Sequence, residues 1–348
     1  MKRNSKEVKI GNIKIGAENS VAVQSMLSVP SYDVRGSVDQ ADKLKNAGCD
    51  VLRIAIPDAN AVKLIDSIKS KVDIPLVADI HFDHKLALES IEAGIDKIRI
   101  NPGNIGDDSK IKAIVNACKL HEIPIRIGVN SGSIESRILE KYGEVTPEAL
   151  AESALYNAKL LEKYDFDNIV LSLKSSSVQK TVKAYKIVAK KCNYPLHLGI
   201  TEAGTETIGT IKSSIGIGSL LLSGIGDTIR VSLTADPIKE VELGINILIA
   251  LEMRSGIRFI SCPTCGRTRI DLINIAKEVE NALSNCKKNI KIAIMGCVVN
   301  GPGEAKDADI GITGANGMGF IFKKGKIIKK VPERDIVKEL IREIDLMS

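Results

Sequence analysis

The stretch Leu76-Val77-Ala78-Asp79-Ile80-His81-Phe82-Asp83, followed by a glycine at Gly94 and then by Lys97-Ile98-Arg99-Ile100-Asn101, is one period of the pattern that decides the fold. Leu76–Ile80 is an apolar run of strand length. Asp83 suits a helix N-cap, Gly94 suits a helix stop, and Lys97–Asn101 begins the next strand. The same period recurs on both sides. Strands are expected at Val21–Ser25, Val51–Ile56, Leu76–Ile80, Lys97–Asn101, Ile125–Val129, Ile169–Leu173, Leu196–Ile200 and Thr228–Leu233, with longer amphipathic runs between them. Ser37 with Gln40 reads as a capping box for a helix closed by Gly48, and Thr146-Pro147-Glu148 as an N-cap with proline at the first helical position. Eight such units, at about 250 residues in all, fit a (β/α)8 TIM-type barrel. An open doubly wound sheet shares this local pattern, because strand order is not written in a single sequence. Val8-Lys9-Ile10-Gly11-Asn12-Ile13-Lys14-Ile15 reads as a hairpin capping one end of the barrel.

Each unit delivers polar residues where its strand stops. Gln24 and Ser25 end the first strand, and Arg53 lies in the second. Asp79 and His81 follow the third, Arg99 and Asn101 the fourth, and Arg126 and Asn130 belong to the fifth. Lys174, Glu202 and Arg230 follow from the remaining units. Barrel active sites lie at the carboxyl ends of the strands, so these side chains converge on one mouth. Arg53, Arg99, Arg126, Lys174 and Arg230 outweigh Asp79 and Glu202 there, and guanidinium forks suit phosphate oxygens. Any one of these cations could equally be spent on a salt bridge in the rim, and His81 on a structural hydrogen bond. Glu202, between Thr201 and Gly204, has no core to support and is placed to move a proton.

A boundary is expected near Ser255-Gly256, after a long apolar helix, giving a barrel over 1–255 and a small α/β (ferredoxin-reductase-like) domain over 256–348. That second domain holds Cys262-Pro263-Thr264-Cys265-Gly266 and Gly296-Cys297-Val298-Val299-Asn300-Gly301-Pro302-Gly303-Glu304. Two cysteines two residues apart, with a glycine to turn beneath them, form a metal knuckle. Half of a zinc ribbon looks the same. No histidine follows His197, however, and only Cys286 could complete an all-cysteine zinc site. Three thiolates with an oxygen donor suit an iron–sulfur cluster that keeps one exchangeable iron. A binding protein or non-redox barrel enzyme with a structural zinc ribbon, such as one of the pteridine-binding kind, remains the alternative.

The composition narrows the class. The 348 residues are 44% hydrophobic, which is enough for about two globular domains. No apolar run approaches membrane-spanning length, and seven scattered cysteines fit a reducing compartment, so a soluble cytoplasmic protein is expected with no membrane partner. The net charge of +6 is spread over many helix faces and aromatics are 3%, which argues against nucleic-acid binding. Lys323-Lys324-Gly325-Lys326 with Lys329-Lys330 reads as a solvated hairpin.

Several of these stretches together resemble a known family. Gln24-Ser25-Met26, Val77-Ala78-Asp79-Ile80-His81-Phe82, Arg99-Ile100-Asn101-Pro102-Gly103-Asn104-Ile105-Gly106, Pro124-Ile125-Arg126-Ile127-Gly128-Val129-Asn130, His197-Leu198-Gly199-Ile200-Thr201-Glu202-Ala203-Gly204 and both cysteine motifs look like those of the bacterial 4-hydroxy-3-methylbut-2-enyl diphosphate synthases of the methylerythritol phosphate route to isoprenoids. The resemblance spans essentially the whole chain. It implies a [4Fe-4S] cluster held by Cys262, Cys265, Cys297 and Glu304. It also implies reductive ring opening of 2-C-methyl-D-erythritol 2,4-cyclodiphosphate, with electrons from flavodoxin or ferredoxin. By the same resemblance Arg53, His81, Arg99, Arg126, Asn130, Lys174 and Arg230 grip the diphosphate, Glu202 handles a proton, and Asn300 contacts substrate. The family is also dimeric, so a homodimer is expected. Leu27-Ser28-Val29-Pro30 replaces a Thr-Asn-Thr-like run common there, and Ser177 stands where Asp is common.

Overall fold

The computed structural model describes residues 2–297 and 305–347 except 285, 287 and 316. The chain divides into two compact units, Met1–Leu251 and Glu252–Ser348.

The first unit opens with an antiparallel hairpin, β1 (Val8–Ile10) and β2 (Ile13–Ile15). Strand and helix then alternate: β3 (Ala22–Met26), α1 (Val34–Asn46), β4 (Val51–Ala55), α2 (Ala59–Lys69), β5 (Leu76–Asp79), α3 (His84–Glu92) and β6 (Lys97–Ile100). A single turn α4 (Pro102–Ile105) precedes α5 (Asp108–Leu120) and β7 (Ile125–Asn130). The ring is completed by α6 (Ser136–Tyr142), α7 (Pro147–Glu162), β8 (Ile169–Lys174), α8 (Val178–Lys191), β9 (His197–Leu198), α9 (Glu206–Leu222), β10 (Thr228–Ile229) and α10 (Pro237–Ala250). The strands pair in parallel in the order β8-β7-β6-β5-β4-β3-β10-β9, and a parallel bridge from Leu171 to Leu196 joins the two ends. The sheet is a closed (β/α)8 barrel, not an open one. β9 and β10 are shorter than the apolar runs containing them.

A repeated local device sets the register. Asp50, Asp96 and Asp227 each stand one residue before a strand, and each carboxylate accepts the backbone N–H of a neighbouring strand: Val23 at 2.7 Å, Leu76 at 2.8 Å and Leu196 at 2.8 Å. Asp227 is 2% exposed and also holds the Ser5 hydroxyl at 2.9 Å, with Lys2 at 3.4 Å. The N-terminal segment is thereby pinned across the amino ends of the strands, where Val8, Ile10 and Ile15 pack on Ala22 and Val170.

Most helix punctuation is local chemistry. Asp83 caps α3 and Thr146 caps α7, accepting from Lys85 N and Ala149 N. The capping box at Ser37 and Gln40 does not form. Asp33 caps α1 instead, taking Gly36 N at 2.8 Å, which adds a turn and buries Ser37 inside the helix. Gln40 is thus free to reach back and accept the N–H groups of Ser28 and Val29 at 2.9 and 3.2 Å, so it orders the loop that replaces the Thr-Asn-Thr-like run. Ser177 is used as the N-cap of α8. On α9 two glycines allow close packing: a Cβ on Gly209 would lie 2.5 Å from Leu233 Cδ2, and one on Gly216 2.6 Å from Ile200 Cδ1.

The second unit is a mixed sheet in the order β11 (Arg258–Ser261), β12 (Lys291–Ile294), β13 (Ile310–Ala315), β14 (Met318–Lys323) and β15 (Lys326–Pro332). The first three are parallel and the last three antiparallel. Helices α11 (Leu272–Ala282) and α12 (Ile336–Asp345) cover it through Ile275, Val279, Leu340 and Ile344, which meet Ile292, Ile294 and Ile312. The lysine run is a hairpin whose turn takes Lys324 and Gly325 through φ of 46° and 76°. It is less solvated than expected, because Lys323 pairs with Glu343 at 2.8 Å and Lys329 with Glu339 on α12.

Asp227→Ala leaves the Leu196 N–H, Ser5 and Lys2 without their shared acceptor. The urea midpoint of the barrel transition should fall by an amount equivalent to about 3 kcal/mol.

Candidate active site

The strand registers decide which side chains enter the barrel. A Cβ on Gly244 of α10 would lie 3.0 Å from Val23 Cγ1, so Val23 faces the helices and Gln24 faces inward. Through the pairs Gln24–Val51, Arg53–Val77, Asp79–Arg99, Arg99–Arg126, Asn130–Lys174 and His197–Thr228, the inward set includes Gln24, Val51, Arg53, Val77, Asp79, Lys97, Arg99, Arg126, Asn130, Lys174, His197 and Arg230. Such barrels are ordinarily filled by layers of branched apolar residues. This one keeps Val51 and Val77 inside and adds a set of cations beside them.

The cations differ in how they are compensated. Asp79, 4% exposed, accepts from Arg99 Nη1 at 3.1 Å, meets His81 Nε2 at 3.3 Å and lies 3.8 Å from Arg53 Nε. Burial alone would raise its pKa. Arg53, the His81 hydrogen bond and Arg99 outweigh burial and hold the carboxyl well below the usual range. Burial pushes Arg53 down to about 10, against the pull of Asp79 and with Arg230 and Arg99 adding repulsion. Arg230 pairs with Glu240, the buried first-turn carboxylate of α10, at 3.3 Å. Arg126 has no such partner among the described residues. It is 1% exposed, and its Nε and Nη1 have no hydrogen-bond partner among the described residues. Burial and then Arg53 and Arg99 lower its pKa, and burial followed by Arg126 and Arg230 lowers that of Lys174.

Two glycines, Gly128 inside β7 and Gly199 just after β9, make this crowding possible. Arg99 Nη2 donates to Gly128 O at 3.3 Å, and a Cβ on Gly128 would stand 2.4 Å from Arg99 Nε. A Cβ on Gly199 would stand 2.9 Å from Lys174 Nζ and 2.6 Å from Arg230 O. At the mouth His81, Arg99, Asn101, Asn104 and Asn130 line a cavity of about 60 Å³. Glu202 is exposed in the loop between β9 and α9, and its φ of 50° is left-handed. For a residue with a Cβ that conformation costs about 1 kcal/mol, and such strain is typical of functional loops.

In the second unit Cys262 follows β11 and Cys297 follows β12. The two strands are parallel neighbours with Ser261 opposite Ile294, so both motifs leave the same edge. Gly296 N lies 3.5 Å from Cys262 Sγ as donor, and Arg269 N donates to Gly296 O at 2.9 Å, which ties the knuckle to the second loop. Cys265 is exposed, and the Arg267 N–H and then its side chain lower its thiol pKa. Cys262, Cys265 and Cys297 are all free thiols, a donor set suited to an iron–sulfur cluster. Among the described residues no three His, Cys, Asp or Glu side chains are gathered on one point. Asn300 and Glu304 lie outside the described residues. Cys286 packs on the apolar core of this unit.

Residues 5–245 match the family described as the GcpE TIM-barrel domain, and residues 258–346 match the GcpE protein C-terminal domain. The chain belongs to the GcpE family. Members with curated names are similar over their whole length. A relative from Clostridium perfringens is 59% identical over 99% of both chains, and one from Caldanaerobacter subterraneus is 58% identical over 100% of this chain and 98% of its own. Both are called 4-hydroxy-3-methylbut-2-en-1-yl diphosphate synthase (flavodoxin). Among solved structures, dihydropteroate synthases from Yersinia pestis and Stenotrophomonas maltophilia superpose with TM-scores of 0.53 and 0.54 at 12% identity, covering 71% of this chain and 97% of theirs. That likeness shows the barrel fold alone.

For this GcpE-family barrel the sequence reading missed Lys97, Glu240, Gly128 and Gly199. Glycine inside a strand was the available signal for the last two, since it marks close approach.

Two outcomes follow. Arg126→Met removes an uncompensated buried charge, so the barrel should gain about 1–3 kcal/mol in thermal unfolding while affinity for a phosphorylated ligand falls about 10- to 100-fold in calorimetry. Gly128→Ala should fold and yet weaken the same binding, because Arg99 must leave its place.

Proposed function

We propose that this chain converts 2-C-methyl-D-erythritol 2,4-cyclodiphosphate to 4-hydroxy-3-methylbut-2-enyl diphosphate, a step in isoprenoid precursor synthesis. One ring C–O bond breaks, a hydroxyl leaves as water, and two electrons and two protons are consumed. Arg126 carries the reading: a buried guanidinium with no carboxylate paired to it among the described residues, beside Arg53, Arg99, Lys174 and Arg230, suits a diphosphate that brings its own negative charge.

The residues take distinct parts. Arg53, Arg99, Arg126, Lys174 and Arg230 hold the diphosphate oxygens, with Asn130 and His81 at the mouth. The Asp79 pairs with Arg99 and His81 keep those two side chains oriented before substrate arrives. Glu202 gives a proton to the departing hydroxyl from a loop already held in its left-handed conformation. Asn300 touches the substrate as well. Cys262, Cys265, Cys297 and Glu304 would hold a [4Fe-4S] cluster, which would supply single electrons from flavodoxin, the donor in the relatives' names, or from ferredoxin. The 1–255 segment acts as the diphosphate-binding domain and 256–348 as the cluster domain.

The reading includes a homodimer. Ile208, Ile211 and Ile215 are each at least half exposed along one face of α9, an apolar stripe suited to a second copy. No helix among the described residues is long and apolar enough to cross a membrane, and the enzyme belongs in the cytoplasm, where its thiols stay reduced.

Protein purified without oxygen should contain about four irons and four sulfides per chain with broad visible absorption, and Cys297→Ser should lose them. One zinc and no sulfide would replace this reading with a non-redox barrel bearing a structural zinc ribbon. Glu202→Gln should bind the cyclic diphosphate normally and turn over about 100-fold more slowly with a chemical reductant.

A further inference from the structure

Below the cation-lined mouth lies a group that the reaction does not use. Lys97 begins β6 and points into the barrel with Arg99, and it is 0% exposed. Its Nζ has no hydrogen-bond partner among the described residues. The charged groups acting on it are Arg126 from β7 and Arg53 from β4, and His197 on β9 is influenced by it in turn. Val77 stands opposite on β5, and the hairpin below contributes Val8, Ile10 and Ile15, which are apolar. The carboxylates of this interior are engaged elsewhere, Asp79 by Arg99, His81 and Arg53, and Glu240 by Arg230. Among the described residues an ammonium here would have no acceptor and no counter-ion, and it is sealed from solvent.

We propose that Lys97 is a proton acceptor for substrate binding: its amine is uncharged in the ligand-free protein and takes up one proton from solvent when a polyanion occupies the mouth above it. The step is a simple protonation, R–NH2 to R–NH3+, with the proton supplied by the buffer. A diphosphate held by Arg126 and Arg53 cancels the repulsion that keeps the amine neutral, and the new charge then strengthens the grip on the anion. Burial followed by Arg126 and Arg53 already biases Lys97 well below the ordinary lysine value. Two other groups compete for the proton. Lys174 is 7% exposed at the mouth, and its Nζ is not among the sealed, partnerless atoms. His197 is equally buried, but its Nδ1 is 2.7 Å from the Thr228 hydroxyl, and an imidazole starts about 4 pKa units below an amine. Lys97 takes the proton first.

This inference rests on the anion-binding reading, and calorimetry separates the two. The cyclic diphosphate carries one strongly acidic group on each phosphorus, so it does not itself titrate near neutrality. Binding to the anaerobic, oxidised holoenzyme is measured at pH 7.5 in buffers of different ionisation enthalpy. About one proton should be taken up per ligand bound. Lys97→Met should still bind, several-fold more weakly, with uptake near zero and a raised melting temperature. No heat of binding would reject the anion site itself. Binding without uptake in the wild type, or uptake that survives in Lys97→Met, would overturn the role of Lys97. Should Lys97→Met fail to fold, the wild type still decides: affinity should fall as pH rises above neutrality, and a pH-independent affinity overturns the proposal.

Discussion

Positive charge taken out of water without negative charge to match it is the constraint on which this structure turns. The barrel interior holds Arg53, Arg99, Arg126, Lys174 and Arg230 against Asp79 and Glu240. Isolated charges in a poorly polarisable interior cost several kcal/mol each even after relaxation. The fold must recover that elsewhere. It does so in the shell between strands and helices, where Leu52, Ile54, Ala78, Ile98, Ile125 and Ile127 are sealed from solvent and the facing helices bring Leu44, Ile65, Ile68 and Ile114.

That division explains the use of glycine and the shape of the strand ends. Arg99 can lie flat across β7 only because residue 128 has no side chain, and Lys174 reaches the axis only past Gly199. Larger residues would restore an ordinary packed core and push the cations toward water. The short extents of β9 and β10 belong to the same economy of space, since Gly199 and Glu202 both lie just beyond β9. The strand gives up ladder bonds where the loop must turn sharply and hold a carboxylate in a left-handed conformation.

Much of this was legible in the sequence, and the gaps have physical causes. The βα period announced every barrel strand because parallel strands are written as apolar runs between helix caps. The polar ends were visible because cations in apolar runs are conspicuous. Their direction was harder to read: strand parity is local, but the partner of each charge is set by register between segments far apart, as with Arg230 and Glu240. Lys97 was overlooked for that reason. It looks like a strand-opening lysine at the surface, and only closure of the ring buries it. The misplaced start of α1 has a different origin, since Asp33 and Ser37 both suit an N-cap and the choice depends on Gln40 being wanted by Ser28 and Val29. The strand β11 escaped because its Arg258–Ser261 run is half-exposed and reads as linker.

Both units place their chemistry at the carboxyl ends of parallel strands, and this follows from how such sheets end. Neighbouring parallel strands finish in register, so the loops after them start side by side while the strands beneath are fixed by their ladders. In the barrel this gathers Arg53, Asp79 and Arg99 from adjacent strands with no long-range tie other than the sheet. In the second unit the pairing of Ser261 with Ile294 does the same for the loops that carry Cys262 and Cys297, separated by more than thirty residues of chain. The Cys262 sulfur and the Gly296 N–H meet because the ladder brings them together. Position is thus set by the ladders and chemistry by the loops, so substitutions in the loops change ligands while substitutions in the strands change whether ligands can meet at all.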